Sequence, residues 1–155
     1  MNYRMISKIL SRVMGVLAAL MLLPTVTALW YGESPASFLY TMGIAAALAV
    51  LLALPKLKRK DLYAREGFVS VALAWLLISL VGALPFVFAG EIPHYVDAFF
   101  EIVSGFTTTG SSILTDVEAM SHGHLLWRSL SHWIGGMGVL VFIMAVVPLS
   151  EERSM

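Results

Sequence analysis

The chain has no cysteine, which removes disulfides, thiolate metal sites and cysteine nucleophiles from consideration. Charge is scarce as well. Only 13% of the 155 residues are charged, ten basic and ten acidic, so the formal net charge is zero. That balance gives no general attraction to nucleic acid, and no nucleic-acid partner is expected; the charges matter through where they sit. No Walker loop, HExxH helix or Ser/His/Asp arrangement occurs, so the sequence supports neither an enzyme nor a bound cofactor. Lysine and arginine are missing from Gly90 to His124, a span that holds Glu91, Asp97, Glu101, Asp116 and Glu118. What the chain has in quantity is apolar surface: 59% of residues are hydrophobic and the mean hydropathy is +0.84. These values predict an integral membrane protein.

Taken in order, the basic start (Arg4, Lys8, Arg12) leads into an apolar run. A helix from Ile9 to Leu29 is roughly 30 Å long, enough to cross a bilayer, and without a small-residue cleavage site it reads as a retained helix. Pro24 is placed to kink it, and Trp30 and Tyr31 mark an interface before the turn Gly32-Glu33-Ser34-Pro35. A second helix runs from about Ala36 to Leu54, with Ala45-Ala46-Ala47 as either a smooth packing face or lipid-facing filler. Lys56, Lys58, Arg59, Lys60 and Arg65 then cluster beyond Pro55. By the positive-inside rule this loop is cytoplasmic, although such a run also suits anionic lipid or a soluble partner. A third helix, Gly67 to about Phe88, returns outward. Both chain termini are then cytoplasmic and Gly90 to Gly123 faces outward.

Tyr95 to Gly105 has helical character but covers only about 16 Å, too little to cross. It reads as a re-entrant half-helix whose C-terminus, the negative end of its dipole, aims at the membrane centre and favours a cation there. Ser104 to Ser112 (Ser-Gly-Phe-Thr-Thr-Thr-Gly-Ser-Ser) follows as extended backbone, because adjacent β-branched threonines restrict each other and Gly110 can take positive φ. Extended backbone at membrane depth is tolerated where it lines a water-filled path, and its carbonyls and threonine hydroxyls suit a weakly hydrated cation. A last spanning helix runs from about Leu125 to Val147 and closes at Pro148. Gly135, Gly136 and Gly138 within it predict close packing against the half-helix, with Gly136 taken as the test position. The fold class is therefore all-α integral membrane: four transmembrane helices, one re-entrant pore half-helix and a filter loop. The divisions are a helix pair over 1–60, a membrane-pore-membrane unit over 61–150 with its filter loop at 107–111, and a cytoplasmic tail over 151–155.

Other polar residues have plainer readings. His122, His124 and His132 are expected as interface residues rather than metal ligands, since no carboxylate or cysteine stands at a settled spacing. Arg128 is expected to neutralise Asp116 or Glu118, or to snorkel to headgroups. Asp97 and Glu101 support the pore helix and attract cations to the vestibule, Asp97 also suiting the first turn of its helix.

Five segments in order carry a family resemblance: Arg65-Glu66-Gly67-Phe68, Gly82-Ala83-Leu84-Pro85-Phe86, Asp97-Ala98-Phe99-Phe100-Glu101, Ser104 to Gly110, and Trp133-Ile134-Gly135-Gly136-Met137-Gly138. Together they resemble the Trk/Ktr/HKT superfamily of potassium transporters, in its TrkH and TrkG type. The first two helices are similar to the extra N-terminal pair of TrkH-type members on hydropathy alone. The resemblance implies four such units around one pore, each with a single-glycine filter strand. It places potassium on Thr108 and Thr109, gives Gly110 the backbone shape and a further carbonyl, and leaves Thr107 and Ser111 as flanking candidates. It further implies a bacterial inner-membrane location, a homodimer of the whole transporter and a cytoplasmic TrkA-type regulatory partner. One unit cannot close a pore, so the chain is expected to be a fragment or truncated product of a longer transporter, or else a homo-oligomeric small channel. A non-conducting scaffold module is the alternative.

Overall fold

The computed structural model describes residues 3–55 and 64–151, so the basic stretch from Lys56 to Tyr63 and the tail after Glu151 lie outside the described residues. Among the described residues seven helices follow in order: α1 Tyr3–Leu20, α2 Leu22–Trp30, α3 Ala36–Ala53, α4 Ala64–Gly82, α5 Leu84–Phe88, α6 Tyr95–Phe106 and α7 His122–Glu151. No strand occurs among the described residues. Among the described residues three stretches are long and apolar enough to cross a membrane: Tyr3–Trp30, Ala36–Ala53 and Arg65–Phe88.

Two of these stretches are interrupted for the same reason. Pro24 has no N–H for the Leu20 carbonyl one turn back, and the helix breaks there, between α1 and α2. Pro85 likewise follows the break at Ala83 between α4 and α5. At the C-terminal end of α2, Gly32 has φ 70°. Its N–H reaches the Leu29 carbonyl at 3.2 Å and the Glu33 N–H reaches Ala28 at 2.7 Å, a paired C-terminal closure that turns the chain into α3.

α1 packs along α3, and two serines fasten the pair from within. Ser7 Oγ donates to the Leu52 carbonyl and Ser11 Oγ to that of Ala49, each at 2.6 Å. Of the three alanines 45–47 only Ala45 is buried, so the small-residue face is one position wide. The core continues from Met14, Leu17, Met21 and Phe38 through Phe86 to Ile102, Phe106 and Trp127. Trp127 Nε1 donates to the Gly82 carbonyl at 2.9 Å, so the indole satisfies its one donor while its ring fills the space beside α4 and α6.

Candidate ion-coordinating site

α6 has 12 residues, about 18 Å at the rise of an α-helix, and stops one residue later than the sequence suggests. Ser104, Gly105 and Phe106 belong to this helix, so the non-helical run begins at Thr107 rather than Ser104. The stop is a paired closure. Thr108 N–H donates to the Gly105 carbonyl and Thr109 N–H to that of Ser104, both at 2.9 Å. The residue at the left-handed position of such a closure is usually glycine. Here it is Thr108, with φ 57°, a conformation that costs a β-branched residue roughly 1–2 kcal/mol. Gly110 takes φ 77°, as its lack of Cβ permits.

Two residues of α6, one turn apart, fasten the returning strand. Ser104 Oγ donates to the Ser111 carbonyl at 2.5 Å. Glu101 accepts from Ser112 Oγ at 2.9 and 3.0 Å and from the Ile113 N–H at 3.1 Å. Between the end of α6 and these fasteners Thr107, Thr108, Thr109 and Gly110 are exposed. Thr107 Oγ1 and Thr109 Oγ1 lie 2.8 Å apart, and Thr108 Oγ1 donates to the Thr107 carbonyl at 2.7 Å. Among the described residues no hydrogen bond is directed at the carbonyls of Thr108, Thr109 or Gly110. The chain thus presents three successive carbonyls and a hydroxyl pair on a strand pinned at both ends.

Glu101 corrects a sequence expectation. It is 1% exposed and accepts from Arg128 Nε at 2.6 Å, so it does not reach a vestibule to attract cations. Arg128 accordingly pairs with Glu101 and not with Asp116 or Glu118. Asp116 instead accepts the Glu118 N–H at 3.1 Å. Burying an ion pair is costly unless its remaining lone pairs are used, and here the Ser112 hydroxyl and the Ile113 amide use them. Asp97 stands in the first turn of α6, half-buried, where its charge suits the helix dipole.

The glycines divide. A Cβ on Gly135 would overlap the Phe106 carbonyl and lie 3.0 Å from the Gly105 oxygen, while one on Gly138 would press on Trp75 at 3.0 Å. A Cβ on Gly136 would meet only Thr108 Cγ2 at 3.9 Å, ordinary contact. Gly136 is therefore not the tight position; Gly135 is, and it touches the very end of α6. On the other side of this contact a Cβ on Gly105 would overlap Ser131 Oγ, whose hydrogen goes to the Arg128 carbonyl at 2.5 Å.

The three histidines do not converge, and no metal-holding group of His, Cys, Asp and Glu occurs among the described residues. His122 stacks on Tyr31 with ring centroids 3.9 Å apart and meets Glu33 at 2.8 Å. His124 is buried. His132 Nδ1 approaches the Arg128 carbonyl at 2.9 Å. Sequence reasoning missed the left-handed Thr108, the Ser104 fastener and the Glu101–Arg128 pair. A hint of the last was available, since one arginine stands in a region of acids.

Glu33 closes the far end of α7. Its Oε1 accepts the His122 N–H at 2.8 Å and its Oε2 the Gly123 N–H at 3.0 Å, so a carboxylate from the α2–α3 turn caps the positive helix end. Burial raises the Glu33 pKa, but the two amides and the His122 ring outweigh this and hold it below the ordinary carboxylate value.

The fold has relatives among known proteins. A family model named TrkH, described as a cation transport protein, matches residues 35–155. The Trk system potassium uptake protein TrkH of Escherichia coli K12 is 37% identical over 153 residues, 96% of this chain and 32% of that one. The TrkG protein of the same strain is 40% identical over 90 residues, covering 57% of this chain and 19% of that one. The crystal structure of the potassium transporter TrkH from Vibrio parahaemolyticus superposes with a TM-score of 0.88 at 30% identity, covering 96% of this chain and 32% of that one. The chain thus spans about a third of the length of the relatives it matches. With a family model covering most of its residues and a fold to match, the chain belongs to the TrkH family of cation transport proteins.

Proposed function

We propose that this chain supplies one wall of a potassium-uptake pore in the cytoplasmic membrane, as the N-terminal helix pair and first pore repeat of a longer Trk-type transporter. The observation that carries the reading is the strand after α6, pinned by Ser104 and Glu101 and offering the Thr108, Thr109 and Gly110 carbonyls. A potassium ion exchanges water for such carbonyls more readily than sodium does when the cage has the right size or field strength. Thr107 and Ser111 flank the coordinating positions. In this reading α7 is a fourth spanning helix, α6 is re-entrant from outside, and both termini are cytoplasmic. The remaining walls come from further repeats of the same longer chain. A homodimer and a cytoplasmic TrkA-type subunit are partners proposed from the family resemblance alone.

The test uses the full-length transporter in a strain without its own potassium uptake. A Cβ on Gly110 would meet no atom within 4 Å, so Gly110→Ser acts chiefly through the φ of 77° that a side chain disfavours. Rubidium uptake or its preference over sodium should fall, while Thr115→Ala should change little. Unaltered flux and preference in Gly110→Ser at normal membrane levels would remove the filter reading. For the orientation, a cysteine at Ser34 should react with impermeant reagent added outside; reaction only from the cytoplasm would reverse the topology.

A further inference from the structure

His124, in the first turn of α7 ahead of its apolar stretch, is 4% exposed and fully partnered. Its Nε2 lies 3.1 Å from the Pro85 carbonyl and 3.1 Å from Ser37 Oγ, and its Nδ1 lies 2.6 Å from Ser121 Oγ. A carbonyl only accepts, so Nε2 carries the hydrogen and neutral Nδ1 accepts from the Ser121 hydroxyl. One imidazole therefore joins α3, the start of α5 and the start of α7. Beside it opens a polar cavity of about 330 Å³ whose lining includes Glu33, Ser37, Tyr40, Glu91 and Ser121, which gives water a way in.

A second proton has one place to go, Nδ1. Ser121 would then have to turn its hydroxyl from donor to acceptor, and a positive charge would stand at the positive end of the α7 dipole. The charged groups around the ring are Glu91 from the α5–α6 connection, Glu33 from the α2–α3 turn and, on α7 itself, His122. Glu91 Oε1 is 3.9 Å from Nδ1 and already accepts the Ser121 N–H at 3.2 Å; Glu33 is engaged with His122. One helical turn beyond His124 stands Arg128, which holds Glu101 and through it Ser112 and Ile113.

We propose that His124 is a proton-sensitive fastener at the outer end of α7: taking a proton from outside water on Nδ1, it loosens the first turns of α7 and, through Arg128 and Glu101, the pinned strand. The part that concerns transport rests on the pore reading above. Burial lowers the His124 pKa, with Glu91, the Pro85 carbonyl and Glu33 acting in the opposite sense. A histidine whose folded pKa is depressed contributes stability that is complete above its unfolded value, near 6.5, and is lost as pH falls through the lower folded value.

The experiment takes the full-length transporter and reads two quantities between pH 7.5 and 5. One is amide exchange of residues 122–128, corrected for its intrinsic pH dependence; the other is rubidium uptake with its preference over sodium. In the parent, exchange should rise by up to about tenfold per pH unit as pH falls from the unfolded value near 6.5 to the lower folded midpoint, the limit for a single proton, and level off below it, with a parallel loss of preference. His124→Gln keeps a donor for the Pro85 carbonyl and cannot titrate, so both responses should flatten over this range. Glu91→Gln removes a charge that favours the imidazolium and should move the midpoint to lower pH, a shift that a merely structural role would not give. The same acid response in His124→Gln, or an unmoved midpoint in Glu91→Gln, would overturn the fastener. Acid-dependent exchange with unaltered preference would overturn its link to the strand. Exchange that responds in a protein with no uptake at any pH would support the fastener while removing the pore reading.

Discussion

Arg128 Nε donates to Glu101 Oε1 over 2.6 Å across 27 positions of sequence, and the carboxylate it meets is fully enclosed. That contact ties α7 to α6 where the same carboxylate holds the returning residues Ser112 and Ile113. Breaking a buried pair from one side leaves an uncompensated charge, which costs about 3–5 kcal/mol, whereas removing both partners is often far less harmful. Arg128→Met in the full-length protein should therefore lower its melting temperature more than Glu101→Leu with Arg128→Met together. Equal melting of the single and double variants would show that the pair is not coupled.

Gly135 and Gly136 are neighbours with opposite surroundings. A methyl group at Gly135 must displace the backbone at Phe106, where forced overpacking costs about 1–3 kcal/mol or more, while Gly136 has ordinary room. Gly135→Ala is expected to reduce the yield of folded protein and Gly136→Ala to be near neutral, read by gel filtration in detergent. Equal tolerance would mean that α6 and α7 can move apart freely.

Thr108 stores strain that glycine would release. Thr108→Gly should leave thermal stability unchanged or raise it by about 1 kcal/mol, because the left-handed position favours glycine. Loss of the side chain beside the exposed carbonyls should at the same time weaken rubidium preference over sodium. A loss of stability together with intact preference would reverse both halves of this expectation.

The Glu33 cap gives a pH signature separate from that of His124. Its folded pKa is lowered below 4.5, so its contribution is present above that pH and is lost as pH falls through the folded value. Stability measured between pH 6 and 3 should fall more steeply in the parent than in Glu33→Gln, which has no charge to lose. Parallel curves would remove the carboxylate from the N-terminal end of α7.

The residues differ in how far sequence could reach them. Hydropathy and length gave the three apolar stretches, and a polar run between greasy segments gave the strand, because both signals are local in the chain. Gly110 was legible for the same reason: a lone glycine after three threonines has few other uses. Glu101 was not. A carboxylate at the seventh position of an amphipathic helix points either to water or to a partner, and only the arginine brought alongside by α7 decides which.

The amino-acid sequence by itself determined that this is an all-helical membrane chain and which short stretch is too polar to be filler, but not where each helix stops: α7 begins at His122 and continues through Pro148 to Glu151. Those properties follow from solvent preference and backbone freedom, which each residue carries alone. Tertiary structure decided which glycine is tight, which threonine is twisted into the left-handed region, and which histidine and acid are buried. These depend on side chains meeting across helices, where a rotation of 100° per residue separates Gly135 against the α6 carbonyls from Gly136 facing Thr108.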